Sequence, residues 1–381
     1  MTQGIEEREQ FREAVRSFVR AELFPREESF DRHGEFPRET FRRMGELGYY
    51  GLRYPEEVGG QDADLATSCV LYEELAYGNL AVAAIAAMQS LMGTFFVHRY
   101  GTPEHHERYL KPALAGEKVA TFALTEPDAG SDLGGISTRA RRVDGGWVID
   151  GSKTWITNAP VADFLTVGAK TTEEPGMGNI ALFLVDAENP GFEVGKPIEK
   201  LGVRSSLTSE ISLRGCFVSE DSLLGNEGEG VKNVGGILSE IRTMTAALSL
   251  GLGRRAMDEA ARYVNERVAF GKPIGEFQSI QHKFADMQTS LYAAALMTAD
   301  AADRIDRGEA ATQEAAMAKL FASEAAAAIV DQATRVYGSY GFAMEYPAQR
   351  FFRDARFLLY GGGTSEILRM VIGRDVVRSH R

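Results

Sequence analysis

Residues 121–135 read TFALTEPDAGSDLGG. An apolar, strand-like run gives way to a threonine, acidic groups, Pro127 and closely spaced glycines and serines. Such a loop presents backbone N–H groups and hydroxyls in a concave turn, suited to a polar heterocycle or a phosphate. Residue chemistry alone leaves an ordinary polar turn equally open. Downstream, WVIDGSKTWITN (147–158) alternates around Asp150-Gly151, which predicts a hairpin because that turn needs positive φ. Within TWITN (154–158) the strand period puts Trp155 and Thr157 on one face and Ile156 on the other. ADFLTVGAKT (162–171) and NIALFLVDAENPGFEV (179–194) continue as strands punctuated by Gly, Asn and Pro.

Outward from this β segment the pattern changes on both sides. Over residues 1–118, Phe11, Val15, Phe18, Val19 and Leu23 recur at helical spacing on a Glu/Arg surface. The stretch from Leu65 to Arg99 predicts two more helices, the second apolar enough to be buried. Beyond residue 229, Phe277, Ile280, Phe284, Met287 and Leu291 form one helical stripe, and 308–338 carries another. The expected organisation is a helical domain over 1–118, a β-domain over 119–228 and a helical bundle over 229–381. A doubly wound parallel sheet would need strands and helices alternating throughout, so the order α, β, α excludes it.

Composition narrows the function. The 381-residue chain carries a formal net charge of −12, which argues against binding nucleic acid, whose phosphates it would repel. Its two cysteines, Cys69 and Cys216, lie far apart in no ligand-like spacing, so a reducing, cytoplasmic setting is expected. The charged N-terminus shows no signal peptide, and no run of 18 apolar residues suggests a membrane span. Gly251-x-Gly253-x-x-Ala256 superficially matches a dinucleotide-binding loop, but helix-like sequence on both sides assigns the glycines to close helix packing. Adjacent His105 and His106 point to different sides of a helix, which suggests a solvated face and no metal site. No G-x-S-x-G or H-E-x-x-H supports a hydrolase.

With LTEPDAGSD (124–132), TWITN (154–158), KLGVRSS (200–206), RYVNERVAFGKPIGEFQSIQHKFADM (262–287) and YGGGTSEILR (360–369) in order, the chain resembles the acyl-CoA dehydrogenases over essentially its whole length. The resemblance implies an N-terminal helical domain, a middle β-barrel, a C-terminal four-helix bundle, and FAD held between them. It implies that Leu124 and Thr125 meet the flavin pyrimidine edge, that Trp155 flanks the isoalloxazine and that Thr157 lies near its N5 side. Arg267, Phe270 and Gly271 would reach the FAD of a neighbouring subunit in a homotetramer. Thr364 and Ser365 would meet its adenosine half, and Gln278, Arg335, Gly338 and Glu366 complete the cofactor set. Ser131, counted with the cofactor residues as well, and Arg242 would lie along the thioester channel, with Tyr360 beside the substrate.

The shared chemistry removes a proton next to the thioester carbonyl while hydride leaves the next carbon for the flavin. The backbone N–H of Gly362 would help polarise that carbonyl, which survives any side-chain change. The base itself departs from the pattern. Relatives carry its glutamate either at the position of Gly362 or immediately before the arginine aligned with Arg242, where this chain has Ile241. Glu240 is one residue earlier, about 100° around a helix and about 1.5 Å along it, and is a candidate for a relocated base. Tyr360 is a poorer one, its phenol ordinarily titrating near about 10. Arg335 also replaces a usual glutamine and Ser339 a glycine, both compatible with FAD.

The expected activity is therefore FAD-dependent oxidation of an acyl thioester, on CoA or an acyl carrier protein, with an atypical base or substrate. Electron-transfer flavoprotein or oxygen would take the electrons. A flavin-dependent oxygenase on the same scaffold is the alternative, and an inactive paralogue the third.

Overall fold

A computed structural model describes residues 2–174 and 176–380 of the chain. The N-terminal block contains α1 (Thr2–Phe18), α2 (Leu65–Gly78) and α3 (Leu80–Ala87). Both later helices begin on side-chain caps: Asp64 accepts from Thr67 N at 2.7 Å, and Asn79 from Ala81 N and Val82 N at 3.0 and 3.1 Å. From α3 the chain runs on through a π-helical segment, Met88–Gly93, a geometry often found beside functional sites. Leu80–Tyr100 is long and apolar enough by composition to cross a membrane, but 72% of its apolar window is buried inside the protein. It reads as the core of the helical block. Gln89 fixes this segment to the sheet: its amide donates to Ala113 O (2.9 Å) and Lys118 O (2.8 Å) and accepts from Ala120 N (2.8 Å).

The middle block is one eight-stranded sheet: β1 (Ala120–Ala123), β2 (Arg139–Val143), β3 (Gly146–Thr157), β4 (Phe164–Lys170), β5 (Ile180–Asp186), β6 (Phe192–Pro197), β7 (Thr208–Ser219) and β8 (Leu223–Leu224). The order is β6-β7-β3-β2-β4-β5-β8, with β1 pairing parallel to β4. Its apolar residues, among them Trp147, Ile149, Leu165, Val167, Phe183 and Leu213, form their own core.

The hairpin expected at Asp150-Gly151 is not there. The turn lies at Asp144-Gly145, where Val143 pairs with Gly146 and Gly145 has φ +76°. Asp150-Gly151 instead sits inside β3, where the register against β7 shifts between Ile149 and Gly151. Asp150 there accepts from Gly215 N at 2.7 Å. Both dipeptides are Asp-Gly, and the alternation continuing past Gly151 decides which one turns.

The C-terminal block packs α4 (Gly230–Glu266), α5 (Gln278–Asp306), α6 (Thr312–Tyr337) and α7 (Ala348–Tyr360) together, with α8 (Ser365–Arg378) against α6. Gly251 lies mid-helix in α4, where a Cβ would fall 2.1 Å from Glu73 O of α2. Close packing is thus its role, as its helical surroundings predicted. His105 faces Asp221 (3.4 Å), and His106 faces the carbonyls of Val97 and His98. The histidines diverge as expected, but His105 is buried and not on a solvated face. Among the described residues no cluster of three or more His, Cys, Asp or Glu could hold a metal.

Candidate active site

The loop that leaves β1 is tied to β3 from beneath. Lys153, fully buried, donates to Leu124 O (3.1 Å) and to Glu126 Oε1 (2.8 Å), and Thr154 N donates to Thr125 O (2.9 Å). Glu126 also accepts from the backbone of Ser137 and Thr138. Burial opposes the carboxylate, yet Lys153 and these donors together outweigh it and hold Glu126 down at about 2. Burial pushes Lys153 down to about 8 against the pull of Glu126. The pair is charged at neutral pH, and it holds Leu124 and Thr125 in place.

At the far end of β3 the ladder with β7 is interrupted between Lys153 and Ile156. Trp155 occupies that interruption with φ +59°, and 59% of it is exposed. A bulky residue held in the left-handed region is costly, and such strain gathers at functional positions. The break re-aims the indole out of the sheet, and Thr157 follows half-buried on the same strand.

A second group of candidates gathers at the loop between α7 and α8. Gly362 and Gly363 have φ +71° and +105°. A Cβ at Gly362 would stand 3.3 Å from Thr245 Oγ1 and 3.6 Å from Ile241 Cγ2. The residues facing this position from α4 are therefore Ile241 and Thr245, one turn apart. Thr245 spends its hydroxyl proton on Ile241 O (2.7 Å). The loop is held by Lys319, buried on α6, which donates to Gly363 O at 2.8 Å. Burial pushes its ammonium down to about 8. Lys319 and Thr245 were not singled out from sequence, and an apolar-flanked lysine in an alanine-rich helix was the available signal for the first. Gly362 N–H makes no hydrogen bond among the described residues. Thr364 caps α8 by accepting from Ile367 N (3.3 Å), and the buried Ser365 hydroxyl beside it has no partner.

Arg242 is 6% exposed, its Nε has no partner, and it forms no ion pair among the described residues. Burial alone lowers its pKa. Glu240 occupies the neighbouring stripe of α4 with Met244 and faces a separate cavity of about 320 Å³. Tyr54, Tyr72, Leu91 and Phe95 line that cavity, together with Arg53 and His98. Arg53 Nε holds Glu240 Oε2 at 3.1 Å and also reaches Asp306 (3.5 Å). Burial raises the Glu240 pKa despite Arg53.

The remaining candidates lie on open surface. Ser131, Arg267, Gly271, Gln278, Arg335, Gly338 and Glu366 are exposed, Arg335 pairing with Asp331 at 2.7 Å. Phe270 is 96% exposed on the hairpin of β9 (Val268–Ala269) and β10 (Lys272–Pro273), and Tyr360 is 65% exposed. The candidates thus fall into two local groups, one at 124–126 and 154–157, the other at 241–245 and 362–365.

The architecture is a helical block, a middle β-sheet and a C-terminal helical bundle, the three-part fold of the acyl-CoA dehydrogenases. The chain belongs to the acyl-CoA dehydrogenase family. It matches that family's N-terminal domain over residues 5–117, its middle domain over 121–216 and its C-terminal domain over 228–377. It is 49% identical to the benzylmalonyl-CoA dehydrogenase of Aromatoleum aromaticum, covering 93% of each chain. It is 39% identical to a 3-(aryl)acrylate reductase of Clostridium sporogenes, covering 98% of this chain and 99% of the other. The solved glutaryl-coenzyme A dehydrogenase–glutaryl-CoA complex superposes with a TM-score of 0.94 at 35% identity, covering 97% of this chain and 95% of that one. The three-part fold and the oxidoreductase class expected from the sequence are those of this family.

Proposed function

We propose that the protein is an FAD-dependent acyl-CoA dehydrogenase that forms a double bond next to a CoA thioester carbonyl. The observation that carries this reading is the wall formed by Leu124, Thr125, Trp155 and Thr157, locked by a buried ion pair that has no other evident role. The residues suit the dinucleotide. The partnerless Ser365 hydroxyl sits at the start of α8, where free N–H groups and the helix dipole favour an anion. Trp155 offers an uncovered aromatic plane. When bound, the flavin accepts a hydride from the substrate.

The chain's own residues do the rest. Gly362 N–H, without an internal acceptor, polarises the thioester carbonyl, where negative charge accumulates. Ile241, buried and facing Gly362, helps to exclude water there. Phe270, Phe342 (93% exposed), Tyr292 and Leu296 form uncovered apolar surface, and we assign them to contacts between subunits of a homotetramer. Arg267, Gly271 and Gln278 would there reach a neighbour's cofactor. Electron-transfer flavoprotein is the proposed acceptor.

The test is anaerobic mixing of the purified yellow holoenzyme with a panel of acyl-CoAs, carboxylated and plain. Bleaching of the flavin absorbance with formation of an enoyl-CoA is expected. A colourless protein, or product formed only under oxygen, would overturn this reading, the second outcome favouring an oxygenase.

A further inference from the structure

Two observations stand unexplained by ordinary acyl-CoA oxidation. The faces around Gly362 carry Ile241, an alkyl group, and Thr245, a neutral hydroxyl of negligible basicity, so neither can act as a base towards a substrate α-carbon. Beside them, Arg242 is buried with no anion to balance it. A buried, unpaired guanidinium is expensive, and a site retains one where something brings the missing charge. Lys319, on the other side of the loop, adds a second buried cation within electrostatic reach of Arg242. Glu240 answers neither need, being engaged by Arg53 on the adjacent stripe.

We infer that the substrate class is a 2-carboxyacyl-CoA, a substituted malonyl monothioester, and that loss of its carboxylate does the work of the missing base. This rests on the activity proposed above and specifies its substrate. In the step, the bond between Cα and the carboxylate carbon breaks and carbon dioxide leaves. The released electron pair forms the Cα=Cβ bond as the β-hydrogen departs with its own pair, as hydride, to the oxidised flavin. No proton leaves Cα, so no base is required. The negative charge that enters on the carboxylate leaves on the reduced acceptor, and the products are an enoyl-CoA and carbon dioxide.

The architecture suits each part. Arg242 attracts and orients the carboxylate. Ile241 and the bare Gly362 offer it no hydrogen bond, which leaves it poorly solvated on its reacting side and favours its expulsion as a neutral gas. A glutamate at either customary position would repel this substrate and, by taking the α-proton, would allow a product that keeps its carboxylate. The similarity to a benzylmalonyl-CoA dehydrogenase fits the same class.

The experiment uses anaerobic holoenzyme and a matched pair, 2-(arylmethyl)malonyl-CoA and 3-arylpropanoyl-CoA, the first with a heavy-isotope label in its free carboxyl carbon. The carboxylated compound should bleach the flavin and release one labelled carbon dioxide per flavin reduced. Its uncarboxylated partner should react roughly 100-fold more slowly or worse, the usual cost of lacking a base. Ile241→Glu should reverse that preference. Binding supplies a readout apart from turnover: malonyl-CoA, which has no β-hydrogen to lose, should bind about tenfold tighter than acetyl-CoA, and Arg242→Gln should abolish the difference. Equal bleaching by the uncarboxylated thioester, label retained in the enoyl product, or equal binding of the two small thioesters would each overturn the inference while leaving the proposed dehydrogenase intact. Bleaching by neither compound would remove both.

Discussion

The two groups of candidate residues, each forming one wall, are held by different means. The wall at 124–126 and 154–157 is anchored by a fully buried ion pair and by backbone hydrogen bonds between loop and strand. The loop at 361–363 is a run of glycines steadied by a single lysine donating to carbonyls, with Ile241 and Thr245 opposite. The first presents the exposed Trp155 beside its anchored loop. The second leaves Gly362 N–H without an acceptor among the described residues, and Ile241 stands where a glutamate was expected. The two groups thus differ in chemistry: one holds a buried ion pair, and the other has no carboxylate facing Gly362.

The largest effect should come from breaking the anchored wall. In Lys153→Met, Glu126 remains buried without its cation, which costs about 3–5 kcal/mol. Thermal denaturation should show that loss, and the purified protein should carry little flavin. The same pair sets an acid limit. Because the folded Glu126 pKa lies at about 2, below the ordinary 4.5, its contribution is complete above about pH 4.5 and fades as pH falls towards 2. Denaturation of Glu126→Gln against wild type across that window should show the difference shrinking with acid. A constant difference would mean the pair does not hold the wall.

The anchored wall was also the more legible from sequence. TEPDAGSD and TWITN announce their chemistry by residue type, and an alternating strand pattern places Trp155 and Thr157 together. What sequence could not show was that Trp155 leaves the ladder at positive φ, since a bulge depends on the register of β7, far along the chain. The same non-local pairing decided which Asp-Gly would turn. At the glycine wall the absence of a carboxylate was plain from Gly362 and Ile241, but the unpaired state of Arg242 and the grip of Lys319 required packing between α4, α6 and the loop. Helical stripes identify a buried face and not the partner across it.

Lys319 offers a second way to sharpen the contrast, with the opposite pH sign. Its folded pKa, about 8, lies below the ordinary 10.5, so between those values the unfolded chain binds more protons. Its contribution to stability should therefore rise as pH increases from about 8 to 10.5, by on the order of 3 kcal/mol. Lys319→Met should lack this alkaline gain, as measured by denaturant titration at several pH values. Smaller again is Gly362→Ala. At φ +71° a Cβ costs about 1 kcal/mol, and the melting temperature should fall accordingly with the flavin content unchanged.

The smallest expected effect tests whether the emptied wall has been refilled from the side. Glu240 is the one carboxylate on α4 close to Ile241, and burial raises its pKa in the direction a base would need. Its direction argues otherwise. It shares a stripe with Met244, faces Arg53 at 3.1 Å, and lines a cavity distinct from the faces that meet Gly362. Glu240→Gln keeps the shape and a hydrogen-bonding oxygen for Arg53 while removing the charge. We expect about 0.5 kcal/mol lost from a partly exposed pair and flavin reduction within about 3-fold of wild type. A fall of roughly 100-fold or more, the range of a lost general base, would show instead that this side chain swings to the α-carbon, and that the two walls are functionally less unequal than their packing implies.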